Sequence, residues 1–208
     1  CYDDWPSGLS SGSMSIDGFT VDSTHYLKIT VADGHRHDGI DPNSGFYIAS
    51  SVNYAYPIQI YEDYTVIDGI GCIFGTRNNC RFIWARGGAN CTAINCIVTD
   101  TAVDTVNEGF IVHNASVSIS FINCVARYCS RGFYSYNSGT MTALNCVAAD
   151  STTGFDGGAY DTLKNCVAYN KTTNYNGSFN AASTHNATST GSDDAPGGNS
   201  VISVASGD

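Results

Sequence analysis

One phrase is written four times in this chain: Ile94-Asn95-Cys96-Ile97-Val98, Ile122-Asn123-Cys124-Val125-Ala126, Leu144-Asn145-Cys146-Val147-Ala148 and Lys164-Asn165-Cys166-Val167-Ala168. The cysteines are spaced by 28, 22 and 20 residues, inside the window of roughly 20–50 that marks solenoids and other repeat folds. A second phrase keeps the same time. Gly109-Phe110, Gly132-Phe133 and Gly154-Phe155 recur at 23 and 22 residues. No helical period separates the phrases, and Thr, Val, Ile, Tyr and Gly are abundant where helix formers would be needed. Short strands punctuated by turn residues at such a period predict an all-β chain. The architecture that satisfies them is a right-handed parallel β-helix, in which coils stack about 4.8 Å apart and equivalent residues form ladders.

Within that stack each repeat cysteine acts as a small buried hydrophobe, so Cys96, Cys124, Cys146 and Cys166 are expected inward, reduced and unpaired with one another. Local pairing of Cys80 with Cys91, or of Cys124 with Cys129, stays open, because spacing alone does not assign connectivity. Residues two apart share a strand face, which assigns Ile94, Cys96 and Val98, with their counterparts, to one apolar face. Lys164 breaks that pattern, so the coil is expected to loosen there. The asparagines Asn95, Asn123, Asn145 and Asn165 are expected to form a ladder of side-chain amides.

The chain has 208 residues, enough for one domain with a real core. Residues 1–60 carry no Asn-Cys phrase, contain strand candidates at Tyr26–Val31 and Phe46–Ser50, and are assigned to an N-terminal cap. Coils occupy 61–180, and 181–208 read as a polar loop with the start of a further strand at Ser200–Val204. The N-terminus, Cys1-Tyr2-Asp3-Asp4-Trp5, has neither an initiator Met nor a signal-peptide pattern, so the chain is read as a fragment of a longer protein. Only 13% of residues are charged and the net charge is −10. Clustered Lys and Arg are missing, which argues against nucleic acid as a partner. No apolar run is long enough to insert into a membrane. No cofactor is expected.

The Asn-Cys-Val-Ala and Gly-Phe rhythm resembles the right-handed parallel β-helix repeat superfamily, which includes pectate-lyase-like enzymes and phage tailspikes. The stretch from Gly18-Phe19-Thr20-Val21 through Ile29-Thr30, followed by Gly34-His35-Arg36-His37-Asp38-Gly39, is similar to a sub-family of phage and environmental viral-type sequences. The resemblance covers about residues 15–200. It implies a location on a virion or extracellular surface and side-by-side assembly as a homotrimer. The uncharged stripe Ser116-Val117-Ser118-Ile119-Ser120-Phe121 is the expected packing face.

Chemistry-bearing candidates are few. His35, His37 and Asp38 sit in one Gly-bounded segment and can be read as metal ligands or as a polar turn. His25, His113 and His185 are isolated. The sequon triplets at Asn90, Asn114, Asn170, Asn176 and Asn186 read as products of an Asn- and Thr-rich composition. Counting four residues past each repeat Cys gives Asp100, Tyr128, Asp150 and Asn170, an expected outward stripe. It would set Asp100 and Asp150 roughly 10 Å apart, near the carboxylate spacing of inverting glycosidases. Tyr128, Tyr134 and Tyr136 are the candidates for stacking on a sugar ring. Against catalysis stands the scarcity of charged groups, so the expected function is a non-catalytic structural or adhesion component that contacts surface polysaccharide. A polysaccharide lyase or glycoside hydrolase is the alternative.

Overall fold

A computed structural model describes residues 9–11, 13–50, 52–76, 78–101, 106–169, 172–189 and 195–201. The chain is an all-β parallel solenoid of about six turns. Three parallel sheets of eight, seven and six strands run along the stack, and each turn contributes one strand to each sheet. One turn shows the order: Cys91–Ile94 in the six-stranded sheet, Ile97–Thr99 in the eight-stranded sheet and Glu108–Val112 in the seven-stranded sheet. These sheets are called the first, second and third. No described helix is long and apolar enough to cross a membrane.

The corner between the first and second sheets explains the Asn-Cys phrase. Asn95, Asn123, Asn145 and Asn165 all have φ between 52° and 55°, the left-handed region that Asn tolerates better than most residues. Their side chains link along the stack: Asn165 Nδ2 donates to Asn145 Oδ1 (3.1 Å), Asn145 to Asn123 and Asn123 to Asn95 (3.2 Å each). Gly69 precedes this column and His185 follows it, both also left-handed, at φ 79° and 57°. The next residue turns inward every time. Ile70, Cys96, Cys124, Cys146, Cys166 and Asn186 are all buried. The thiols are free and donate to carbonyls of the previous turn, Cys146 to Phe121 O at 3.3 Å and Cys124 to Ala93 O at 3.4 Å.

That left-handed residue also corrects the strand parity read from the sequence. Alternation holds only within a strand, and the corner reverses it. Ala93, Cys96 and Val98 therefore face the core, whereas Ile94, Ile122, Leu144 and Lys164 share an outward row. Lys164 thus fits its row and loosens nothing. Val117, Ile119 and Phe121 are likewise buried, so the stripe at 116–121 offers only its serines, Ser116, Ser118 and Ser120, outside. Strands within 13–50 already pair with the following turn, so the region assigned to a cap contains the first turn. Ala187–Thr188 and bridges from Thr184 to Gly198 and Ala187 to Val201 continue the stack past residue 180. Residues 202–204 lie outside the described set.

The Gly-Phe phrases are mid-strand, not corners. Phe110, Phe133, Phe155 and Tyr175 point into the core from the third sheet, with ring centroids 4.8, 4.8 and 5.3 Å apart and interplanar angles of 9–12°. Each stacked pair contributes about 0.5–1.5 kcal/mol beyond its burial. The preceding glycines stand where turns approach most closely. A Cβ on Gly109, Gly132 or Gly154 would lie 2.5–2.8 Å from a carbonyl oxygen of the next turn.

Candidate functional site

The third sheet has an inner aromatic column, so alternation sends the residue after each ring to the outer face; the glycine before each ring also faces inward, against Val98, Ala126 and Ala148, and the residue before that glycine turns out again. Register fixes three outward rows. Arg81, Glu108, Arg131 and Thr153 form one; Gln59, Trp84, Ile111, Tyr134, Asp156 and Asn176 form the next. Tyr61, Arg86, His113 and Tyr136 follow at the strand ends, as the backbone bonds of Arg86, His113 and Tyr136 to the preceding turn require. Arg81, Glu108 and Arg131 are 27 and 23 residues apart in sequence and are brought together only by strand pairing.

Trp84 is the centre of the face. It is 5% exposed, packed on Tyr56 (4.6 Å) and His113 (5.2 Å) and covered by the guanidinium groups of Arg81 (4.5 Å) and Arg86 (4.2 Å). Such cation–π contacts orient both arginines. Arg86 Nη1 donates to the Tyr61 hydroxyl at 2.9 Å. Glu108, 7% exposed, accepts from Arg81 Nε (2.7 Å) and Arg131 Nη1 (2.6 Å). Arg131 also reaches Asp156 Oδ2 at 3.1 Å and lies 4.2 Å above the Tyr134 ring. Burial alone would lower the Arg131 pKa, but the bond to Glu108 and the charges of Glu108 and Asp156 together outweigh it and raise it. Burial raises Tyr134. A shallow depression of about 270 Å³ lies among Glu108, Ile111, His113, Arg131, Tyr134 and Tyr136.

Chemically this face offers rings, guanidinium donors and hydroxyls on a rigid sheet. Proton transfer needs a group free to take up or release a proton in reach of substrate, and neither carboxylate of this face is free in that sense. Both Glu108 oxygens are held by arginines, and Asp156 Oδ1 accepts from Asn176 Nδ2 at 2.8 Å while its partner oxygen faces Arg131.

Tyr134 and Tyr136 belong to this face, their rings 5.8 Å apart. Tyr128 does not; it follows the second sheet, with Arg127 5.3 Å over its ring. Asp100, Tyr128 and Asp150 do occupy one column, because Asp100 N bonds to Arg127 O and Tyr128 N to Ala149 O. They nevertheless make no outward carboxylate pair. Asp100 is 2% exposed and accepts from Asn107 Nδ2 and Thr101 N, both at 2.7 Å, while Asp150 is half-buried at a left-handed corner. Asn170 lies outside the described residues. The His35–Asp38 segment is a self-bonded turn: His37 Nε2 lies 2.7 Å from Asn95 O, its Nδ1 accepts from Gly39 N, and Asp38 Oδ1 accepts from Ile40 N and Asp41 N. Among the described residues no three His, Cys, Asp or Glu side chains gather as metal ligands.

The sequence reading missed Trp84, Arg81, Glu108, Arg131 and His113. Arg81, Glu108 and Arg131 each stand two residues before Ile83, Phe110 and Phe133 of the inner column, a spacing that strict alternation would place on the inner face, so their outward row was not legible in the sequence. Comparison of the chain with protein-family models, with curated proteins and with solved structures finds no match in any of the three.

Proposed function

We propose that this chain is a non-catalytic adhesion module of a virion or other extracellular assembly, and that it contacts surface polysaccharide through the outer face of the third sheet. The observation that carries this reading is the set of three rows in which Trp84, His113, Tyr134 and Tyr136 stand beside Arg81, Glu108 and Arg131. Sugar rings present a C–H face that packs on aromatic surface and a hydroxyl rim that bonds to guanidinium and carboxylate groups, and this face holds both kinds of partner on adjacent turns. Its shallow form suits an extended chain laid along the stack. The saturation of both carboxylates favours retention over cleavage. The resemblance to tailspike-type solenoids supports the extracellular placement and a homotrimer.

A panel of acidic and neutral polysaccharides tests the reading. Retardation of the chain in affinity electrophoresis is expected with at least one polymer, weakened about three- to tenfold by Tyr134→Ala or Tyr136→Ala and unchanged by Asp150→Asn. Retention by no polymer, or retention untouched by both tyrosine changes, would remove the glycan reading. Release of reducing ends or unsaturated products, lost on Glu108→Gln, would replace it with catalysis.

A further inference from the structure

A second concavity lies on a different face, outside the second sheet, and owes nothing to the aromatic site. Two outward rows define it. Ile97, Val125, Val147 and Val167 form one, and Thr99, Arg127, Ala149 and Tyr169 the other. Ala149 is the shortest side chain of its row and stands between two of the longest, so the row dips between Arg127 and Tyr169. The turn at 33–46 sets Gly39 and Ile40 beside this dip, and an open slot of about 350 Å³ lies between them and Val125 and Val147. That is within the size range of small-molecule sites.

That wall is fixed in place. Arg36 bonds Asp68 through Nη1 (2.8 Å) and Nη2 (2.9 Å), and His37 ties the turn to Asn95 O. Ile40 at its tip is 69% exposed, an aliphatic side chain held out beside an aliphatic row. Apart from Arg127 the slot is lined by apolar surface and the Tyr169 ring.

Arg127 is the cation of the slot's lining. Among the described residues it has no ion pair; its Nη1 reaches Ile40 O only at 3.5 Å, and its Nε is shielded from solvent with no acceptor. Among the described residues, Lys28, Arg36, Arg81 and Arg131 hold carboxylates. A partly desolvated guanidinium held only by one long bond to a carbonyl and by the Tyr128 ring is poorly satisfied, and a carboxylate is the acceptor whose geometry matches its fork.

We propose that this slot binds a small apolar carboxylate, with the carboxylate on the Arg127 guanidinium and the apolar body lying over Ala149 and Val147 toward the Tyr169 ring. Sodium octanoate and its uncharged counterpart 1-octanol are suitable probes, followed by methyl NMR on the full chain. Octanoate is expected to shift the Val125 and Val147 methyls saturably and to leave Ile122, on the neighbouring sheet, unmoved. Octanol is expected to bind about tenfold or more weakly, and Arg127→Met to bring octanoate down to the octanol level. Ala149→Leu, which fills the dip, is expected to abolish binding of both. Should that variant not fold, Arg127→Met, on the outer face of the sheet and outside the core, carries the test with the octanol comparison. The proposal is overturned if octanoate produces no saturable shift at Val125 and Val147, if octanoate and octanol bind equally, or if a folded Ala149→Leu binds octanoate as the parent does.

Discussion

Replacing Gly132 by Ala should destabilise the chain although Ala is the better residue for a strand interior by backbone entropy. Gly132 has no left-handed φ, so conformational freedom is not what holds Gly there. A Cβ built on it lies 2.8 Å from Gly154 O, 3.1 Å from Ala148 Cβ and 3.3 Å from Ala126 Cβ. Ordinary carbon contacts are about 3.5–4.0 Å, so the next turn would have to move by several tenths of an ångström. It cannot move alone, because the flanking strands Arg131–Ser135 and Thr153–Gly157 are paired through Arg131, Phe133 and Tyr134. Overpacking of this kind costs about 1–3 kcal/mol, and the reduced entropy of the unfolded chain returns about 0.4–1 kcal/mol. The net expectation is a loss of about 1–2 kcal/mol. Gly158→Ala provides the control, since nothing lies within 4 Å of a Cβ there and its φ is not left-handed; it should gain about 0.4–1 kcal/mol. Urea unfolding followed by far-UV circular dichroism and by fluorescence measures both, and agreement of the two probes checks that one transition is being read. A Gly132→Ala protein as stable as the parent would refute the close-approach argument, and so would equal effects of the two substitutions.

Three further expectations follow from the ladders and their anchors. Asn123→Ala should cost about 1–2 kcal/mol, because Ala pays for the left-handed corner, while Asn123→Gly should lose only the amide bonds to Asn95 and Asn145 and cost less; equal losses in chemical denaturation would show that the corner conformation carries no weight. The eight described cysteines should resist a thiol reagent in the folded state and react on unfolding, since burial pushes Cys91 up to about 11 and Cys124 well above the usual thiol range; rapid native labelling of Cys91, Cys124 or Cys146, located by peptide mass, would contradict the packing. At Asp68, burial raises the carboxyl but bonds from Arg36 and Lys28 outweigh it, so its folded pKa lies below the ordinary value. Its contribution is therefore complete above an unfolded pKa of about 4 and is lost as pH falls through the lowered folded value. Asp68→Asn should cost about 1–3 kcal/mol at pH 7, less than a fully buried pair because Arg36 is partly exposed, and should flatten the acid limb of a stability–pH curve; an unchanged acid limb would exclude Asp68 as its source.

What the sequence by itself determined is the stack. Four Asn-Cys phrases and three Gly-Phe phrases establish the period, the parallel coils and the inward cysteines, because each ladder position repeats a purely local demand such as a residue that tolerates a left-handed φ or a small buried side chain; that the Gly-Phe rings stack as an inner column was decided by the structure. The same locality explains what the phrases missed. Gly69-Ile70 and His185-Asn186 occupy the Asn-Cys position with different letters, and the left-handed corner reverses the parity that placed Ile94 inside. Tertiary structure alone decided the surface. Register counting put Asp100, Tyr128 and Asp150 in one column, but Asn107, from the longer connection after Asp100, draws that carboxylate inward. Arg81, Glu108 and Arg131 meet through strand pairing across turns, and the slot beside Ala149 exists because a turn from residues 33–46 lies beside a row about a hundred residues later in the chain. A repeat specifies its interior because every turn imposes the same requirement there; its exterior is free to vary, so the partners of each outward side chain are set by coil lengths and loops that no single phrase encodes.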